Sequence, residues 1–210
     1  MNVEEAIRVR RSVRKYQSKP VEPEKLEALV EAVRLAPSAS NSQPWKLILV
    51  DEEQMRRRVA ETTFSKVMSF NRFALEAPVL AVLTVEPHSK LTQVVGWMAK
   101  RPFYLMDIGI AAAQFCLQAT ELGLGTCMLG WFDEAAVKKV LGIPRAARVA
   151  LLITVGYGTE EPAAHEKRRK TVEAMCSRNG YSGSEGTSQR VSEPAGQRRS
   201  DIIGKSKIAA

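Results

Sequence analysis

Apolar residues recur along the chain at two spacings, which predict helices alternating with strands. Helical spacing predicts helices over residues 3–9, 24–35, 51–64, 102–123 and 134–141. Compact apolar runs predict buried strands over residues 46–50, 78–85 and 148–155. Asp133 is expected to cap the helix that follows it, and Gly142 to end that helix. Because helices and strands interleave, the sequence predicts an α/β or α+β layered domain.

The composition fits one domain with a substantial core. The chain has 210 residues, of which 45% are hydrophobic and 26% charged. No apolar run reaches the roughly 20 residues that a membrane span needs, and the first residues do not resemble a secretory signal. The three cysteines form no CxxC, and the two histidines lack paired spacing, so a metal site is not expected. We expect a cytoplasmic protein with reduced thiols.

The composition changes near the carboxyl end. Beyond residue 181 the chain is rich in Ser, Gly, Gln, Glu and Arg and cannot build a core of its own. The predicted organisation is therefore a folded domain over residues 1–181 and a polar tail over 182–210. The tail is expected to be flexible or to pack on a partner.

The net charge of +8 calls for an anionic partner. A polynucleotide surface needs basic residues clustered on one element with aromatic residues between them. Here the basic clusters are separated, over residues 8–14, 56–58 and 167–170. We therefore expect neither nucleic acid nor a membrane as partner, and a compact anion such as a phosphate fits better.

The first basic cluster carries a pattern suited to a phosphate. In an extended stretch, alternation would bring Arg10, Ser12 and Arg14 to one side. Two guanidinium groups with a hydroxyl between them suit the acceptor oxygens of a phosphate monoester. The alternative is a solvated basic turn.

The segment 37–45 is a second candidate. Between two prolines it crowds four hydrogen-bonding side chains, Ser38, Ser40, Asn41 and Gln43. Such a rigid loop suits recognition of a polar heteroaromatic edge or a ribityl-like chain. Equally, it suits a helix-to-strand connector whose polar groups cap its own backbone.

Several strings together resemble the flavin-dependent nitroreductases. They occur in the family's order and are IRVRRSVRKYQSKPVEPEKLEALVEAVRLAPSASNSQPWKLILV, ATELGLGTCMLGWFDEAAVKKVLGIP, VALLITVGYG and EKRRKTVEAM. The resemblance covers residues 1 to about 181. It implies an α+β fold, a three-layer α/β/α sandwich with a central, mainly antiparallel sheet. It also implies an intertwined homodimer with two FMN molecules in clefts at the subunit interface.

Carried over residue by residue, the resemblance implies three groups of FMN-binding residues. The FMN phosphate would be held by Arg10, Arg11, Ser12, Lys167 and Arg169. The ring would lie against Arg14, Asn71, Leu129 and Gly130. The other subunit would contribute the loop residues Pro37, Ser38, Ser40 and Asn41, and we include Gln43 with them. The chain departs from common family patterns at Ala39, Ala74, Leu129 and Thr171.

The resemblance implies a ping-pong oxidoreductase. NADH or NADPH would pass hydride to flavin N5, and a nitroaromatic, quinone or similar small-molecule acceptor would then take the electrons. The flavin carries the chemistry, so no catalytic side chain is expected; Arg14 and Asn71 would favour its reduced form. Candidate substrate walls are Trp97, Phe103, Tyr104 and Trp131, whereas Phe132 suits core packing.

Other activities are compatible with the same residues. One alternative keeps the fold and changes the chemistry, to reductive dehalogenation or to breakdown of the flavin. Another is a non-catalytic flavin-binding redox module. An RNA-binding protein that uses the arginine clusters is the least favoured reading.

Overall fold

Helices and strands alternate along the chain largely as the apolar pattern predicts. The computed structural model describes residues 1–86, 102–159, 167 and 169–181, and backbone contacts divide the chain into units 1–164 and 165–210. The helices of the first unit are α1 (Val3–Val9), α2 (Pro23–Arg34), α3 (Glu53–Glu61), α4 (Phe103–Glu121) and α5 (Glu134–Leu141). Its strands are β1 (Trp45–Val50), β2 (Val79–Val85), β3 (Gly125–Leu129) and β4 (Arg148–Gly156).

The four strands form one antiparallel sheet in the order β1-β2-β4-β3. Every residue of the central strand β2 is buried. Its alternate side chains enter two apolar clusters, one shared with α2 and α4, the other with α3 and α5. The sheet therefore lies between two helical layers. This confirms the expected α+β, α/β/α sandwich.

The ends of two helices follow from local hydrogen bonds. Asp133 caps α5 by accepting a 2.9 Å hydrogen bond from the Ala136 amide, and Gly142 ends that helix at φ 65°. Both predictions are confirmed. Helix α3 is shorter than predicted because the Thr62 and Thr63 hydroxyls donate to carbonyls of its last turn, at 2.6 and 2.7 Å.

Strand β3 was not predicted. Its sequence, Gly-Thr-Cys-Met-Leu, is short and carries one β-branched residue, so it gives little local strand signal after the glycines that end the preceding helix. Tertiary pairing with β4 makes it a strand, from Gly125↔Gly156 to Leu129↔Leu152. This edge strand supports much of the candidate site.

The predicted helix 51–64 and strand 78–85 begin later than expected, and strand 148–155 extends to Gly156. In the second unit, α6 (Val172–Met175) is capped by Thr171, whose hydroxyl accepts from the Ala174 amide at 3.2 Å.

None of the helices in the described ranges has both the length and the apolar composition to cross a membrane.

Candidate functional site

Residues 10–17, here called the amino-terminal arm, extend the sheet beyond β3. The Val13 amide donates to the Thr126 carbonyl at 2.9 Å, and Ser12 forms a parallel bridge with Thr126. Farther on, the Gln17 amide donates to the Tyr157 carbonyl at 2.9 Å, where the chain leaves β4. The arm is therefore held by sheet-type hydrogen bonds at both ends.

Two glycines let the arm approach the sheet closely. Gly125 and Gly156 are partners in the β3–β4 ladder. A Cβ on Gly125 would lie 2.6 Å from a Val13 methyl, and one on Gly156 would overlap Pro78. Any side chain at either position would therefore displace the chain that passes over it.

A buried hydroxyl network fixes the middle of the arm. The Tyr16 hydroxyl donates to the Val13 carbonyl at 2.8 Å and lies 2.6 Å from the Thr154 hydroxyl. Thr154 also reaches the Cys127 carbonyl, at 3.3 Å. Burial raises the pKa of Tyr16, so the phenol keeps its proton and its role as donor.

The alternating residues of the arm act on one atom beside β3. Burial raises the pKa of the Cys127 thiol, while the positive charge of Arg14, a hydrogen bond with Ser12 and the charge of Arg10 oppose that shift. The two arginines act through their charge, so only the hydrogen bond of Ser12 places a side chain beside this thiol. The thiol itself is buried and stays protonated at neutral pH.

Two arginines of this region line a cavity. Arg10 and Arg11 lie with Gly158 and Thr159 around a space of about 310 Å³, closed on another side by the α4–β3 turn. A pair of guanidinium groups at a cavity provides the forked donors that a phosphate accepts. Ser12 and Arg14 do not line this cavity.

Asn71 lies near the carboxyl end of β3. This buried residue lies at the start of a 3₁₀ turn over Arg72–Leu75, and its side-chain amide donates to the Trp131 carbonyl at 3.2 Å. Ala74, in the same turn, is fully buried. This hydrogen bond therefore fixes the Asn71 side chain beside Trp131, the residue that follows Gly130.

Open space lies beside the end of β3. A Cβ added to Gly130 would meet no atom of the described residues within 4 Å, whereas the Leu129 side chain is buried in the core. The backbone groups of Leu129 face β4, where Leu152 is its ladder partner. Because the Thr126 carbonyl points to the arm, the two-residue alternation of a strand directs the Met128 backbone groups to the same open edge.

An exposed aromatic pair stands at this end of the site. Trp131 and Phe70 have ring centroids 5.7 Å apart, tilted by 58°, and are 38% and 57% exposed. Sequence reasoning named Trp131 and missed Phe70, although Phe70 directly precedes Asn71 in the FNRF string. Phe132 packs against the core, as expected.

Many polar groups of the loop over residues 37–44 form hydrogen bonds within the loop. The Ser38 hydroxyl accepts from the Gln43 amide at 2.9 Å, and the Gln43 side chain donates to the Asn41 side chain at 3.0 Å. Ser40 and Pro37 are exposed. Self-capping, one of the two readings of this loop, is therefore present in the structure, and the exposed residues remain available to a ligand.

The loop backbone is strained. Ser40, Asn41 and Gln43 have φ angles of 53°, 51° and 43°. Non-glycine residues enter this region at a cost of about 1–3 kcal/mol each, and such strain clusters at ligand-binding sites. The Ala39 amide donates to the carboxylate of Asp107 in α4 at 3.0 Å, a residue that sequence reasoning missed. The available signal was a single acid inside an otherwise apolar helix.

The arm and the loop lie at opposite edges of the sheet. The loop leads into Trp45 of the edge strand β1, and the arm pairs with Thr126 of the other edge strand, β3. The ladder connects them through Arg148 and Val155 of β4. Three strand spacings and seven residues along a strand separate Trp45 from Thr126 by roughly 25 Å. One chain therefore does not bring its own arm and loop together.

The remaining predicted residues fall in other parts of the molecule. Phe103 and Tyr104 are half-buried in the first turn of α4, on the helix that contacts the loop, and Tyr104 packs against the core. Lys167 and Arg169 belong to the second unit, where Lys167 is half-buried and Arg169 exposed. Their role at a phosphate stays a prediction. Trp97 lies outside the described residues.

The chain was compared with known protein families, curated proteins and solved structures. The model of the Nitroreductase family matches residues 7–157. The chain is similar to an oxygen-insensitive NADPH nitroreductase of Helicobacter acinonychis, with 30% identity over 70% of this chain and 81% of the relative. A putative NADH dehydrogenase/NAD(P)H nitroreductase of Methanothermobacter thermautotrophicus is 29% identical over 79% of this chain and 82% of its own length.

The fold has a close match among solved structures. An FMN-dependent nitroreductase from Clostridium difficile R20291 superposes with a TM-score of 0.68 at 26% identity. The match covers 83% of this chain and 98% of that protein.

Proposed function

The chain belongs to the nitroreductase family, and from this premise we propose that it is an FMN-dependent NAD(P)H oxidoreductase. The FMN-dependent nitroreductase and the NADPH nitroreductase that resemble it support both the cofactor and the electron donor. Bound FMN supplies hydride transfer from NADH or NADPH to a nitroaromatic, quinone or similar acceptor in a ping-pong cycle.

The observation that carries the proposal is the construction of the arm on the edge of β3. Arg10 and Arg11 line a cavity of about 310 Å³, and open space at Gly130 lies farther along the same strand. Cationic donors and an open backbone edge are what the phosphate and the flat ring of FMN need. The residues present therefore fit the cofactor.

Each part of the arm has a separate role. Arg10 and Arg11, which line the cavity, bind the phosphate, and Ser12, Lys167 and Arg169 are proposed to join them. Arg14 and Asn71 bind the ring near its pyrimidine edge. Their positive charge and amide donor stabilise negative charge there and so favour the reduced cofactor electrostatically.

The site also requires a second copy of the chain. Roughly 25 Å separates the strand ends that hold the arm and the loop of one chain, counted along the sheet. We propose a homodimer in which Pro37, Ser38, Ser40, Asn41 and Gln43 of one protomer face the cofactor held by its partner's arm. A monomeric protein that retains FMN would contradict this arrangement.

Substrate binding needs walls more than acid–base groups. The exposed ring of Trp131 stands beside Gly130 and is suited to stack on an aromatic acceptor. Phe103 and Tyr104, on the helix that contacts the loop, are proposed as further walls, and Trp97, outside the described residues, stays a prediction. The ring of Phe70 packs on Trp131 and orients it.

The decisive experiment is anaerobic reduction of the purified protein. We expect a yellow protein with visible flavin bands that bleach when NADH or NADPH is added under argon and return when an acceptor follows. A yellow protein that neither nucleotide reduces would instead favour a non-catalytic flavin-binding module. A colourless protein that FMN does not reconstitute would contradict the proposal.

An acceptor panel then separates the enzyme chemistries. Nitroaromatics and quinones are expected to reoxidise the reduced protein rapidly. Halogenated aromatics test reductive dehalogenation, and loss of flavin absorbance without any acceptor other than oxygen tests flavin breakdown. Faster turnover in either of the last two assays would assign the alternative chemistry.

A further inference from the structure

Asp107 is a buried carboxylate on the second turn of α4. It is 4% exposed, and its Oδ1 accepts a 3.0 Å hydrogen bond from the Ala39 amide. Among the described residues, its Oδ2 is shielded from solvent and has no hydrogen-bond partner. Burying a carboxylate oxygen without a hydrogen-bond partner destabilises the fold. We therefore expect Asp107 to have a role that offsets this loss of stability.

The Ala39 amide is the point at which the loop meets the rest of the protein. Hydrogen bonds within the loop fix Ser38, Asn41 and Gln43 relative to one another. In the described ranges, the bond from Ala39 to Asp107 is the one hydrogen bond that joins residues 38–43 to another element. The loop also packs against α4, but this bond is the directional attachment at its strained part.

The strain of the loop makes this attachment necessary. Three residues with positive φ keep their conformation only where the surrounding structure holds them. A carboxylate that accepts from an amide forms a charge-assisted bond, which is stronger than a bond between neutral groups. It acts at Ala39, directly before the first strained residue.

We propose that Asp107 is a positioning residue that holds the loop over residues 37–44 in the conformation that binds the partner's cofactor. This inference rests on the proposed function, because it gives the loop a ligand. Asp107 does not touch the cofactor. Its carboxylate orients Ala39, and the loop then presents Ser38, Ser40 and Asn41.

A set of four variants tests the proposal. Asp107→Ala removes the acceptor, and Asp107→Asn keeps one oxygen acceptor. Ser42→Ala removes a second buried side-chain oxygen that has no partner in the described chain and lies in the same loop. Phe115→Leu perturbs the core on α4 and controls for general destabilisation.

Two readouts are expected to move together. Asp107→Ala should weaken FMN binding by about 10- to 100-fold, since the displaced loop would lose two or more hydrogen bonds to the cofactor, each worth about two- to tenfold in affinity. Amide exchange of the peptide over residues 37–44 should accelerate in the same variant. Asp107→Asn should restore both values to within about threefold of the wild type, because the neutral acceptor still holds Ala39.

The controls separate positioning from stability. Ser42→Ala and Phe115→Leu should leave FMN affinity and loop exchange at wild-type values, although Phe115→Leu lowers the unfolding temperature. An equal loss of affinity in Phe115→Leu, or unchanged loop exchange in Asp107→Ala, would overturn the proposal.

The outcomes also distinguish this inference from the proposed function. A wild-type protein that fails to bind FMN would overturn the function. The exchange measurement on the protein alone would still decide whether Asp107 holds the loop. Wild-type FMN affinity in Asp107→Ala would overturn the positioning role and leave the function intact.

Discussion

The amino-terminal arm and the loop over residues 37–44 are proposed to bind the same cofactor, yet the protein builds them in opposite ways. The arm is paired with β3, crosses the end of β4 and buries the Tyr16 ring. The loop is largely exposed, carries three residues at positive φ, and is tied to α4 through Asp107. The arm is thus an extension of the sheet, whereas the loop is a strained segment held to α4 by one hydrogen bond in the described ranges.

The difference separates two kinds of binding residue. The arm residues proposed to bind the phosphate are held by sheet-type hydrogen bonds, so disturbing the arm should change stability and binding together. Loop residues depend on local strain, so changes there should affect binding more than unfolding. Each of the following experiments tests one side of this contrast.

Removing one guanidinium from the arm is expected to have the largest effect. Arg10→Ala should weaken FMN binding by about 1.5–3 kcal/mol, because it removes a charge-assisted contact to the phosphate. Titration of the apoprotein with FMN measures the loss. Arg34→Ala removes an exposed arginine paired with Glu31 on α2 and should bind FMN normally. Equal affinity in wild type and Arg10→Ala would show that the phosphate lies elsewhere.

Arg169→Glu extends the same test to the second unit. If Arg169 joins the phosphate site, charge reversal should weaken FMN binding by up to the same amount as Arg10→Ala, about 1.5–3 kcal/mol. Fluorescence titration at two salt concentrations checks the electrostatic origin of the loss. Unchanged affinity would remove Lys167 and Arg169 from the proposed site.

Closing the space under the arm should act on stability. Gly125→Ala places a methyl against Val13 and should lower the free energy of unfolding by about 1–3 kcal/mol. The double variant Val13→Ala/Gly125→Ala should recover part of that loss in urea unfolding. Gly109→Ala, in α4 with nothing within 4 Å, is the matched control and should be neutral or stabilising by up to about 1 kcal/mol. An arm that tolerated Gly125→Ala without cost would not be packed as described.

The loop should respond to backbone conformation. Asn41→Ala forces a less tolerant residue into a φ of 51° and removes an acceptor of Gln43, at a cost of about 1 kcal/mol in unfolding of the apoprotein. Asn41→Gly relieves the backbone and should cost less than Asn41→Ala. The reverse ranking in thermal unfolding would argue against left-handed strain at this position.

The smallest effect is expected where the arm ends, beside Tyr157. The Tyr157 hydroxyl donates a hydrogen bond to the Glu22 carboxylate at 2.5 Å. This bond is the main reason why the pKa of Glu22 is lowered from 4.5 to about 2. A depressed carboxyl pKa stabilises the fold above pH 4.5, and that contribution is lost as the pH falls toward 2. Tyr157→Phe should therefore raise the pKa of Glu22 and flatten the decline in stability between these values. A Glu22 titration by NMR that matches the wild type would contradict this account.

The fold was largely predictable because its elements carry strong local signals. The cap at Asp133, the stop at Gly142 and the apolar runs of β1, β2 and β4 all act within a few residues. Strand β3 lacks such a run and exists because β4 and the arm pair with it. Sequence periodicity does not contain that information.

The candidate site also combines residues with local sequence signals and residues whose roles depend on tertiary contacts. Alternation in the arm predicts that Arg10, Ser12 and Arg14 lie on one side, and this stays a prediction, since the cavity is lined by Arg10 and Arg11 and not by Ser12 or Arg14. Asp107 and Phe70 were missed because their roles come from residues distant in sequence, Ala39 and Trp131. The positive φ angles of the loop likewise depend on what surrounds it, since Ser and Gln do not favour them.

The facing glycines of β3 and β4 impose an order on how this sequence can change. Position 125 can accept a larger residue only after position 13 has become smaller, so one substitution is permissive for the other. At position 156 two neighbours, Pro78 and Tyr16, would both have to yield first. Evolutionary or laboratory diversification of the arm is therefore easier to begin at residue 13 than at either glycine.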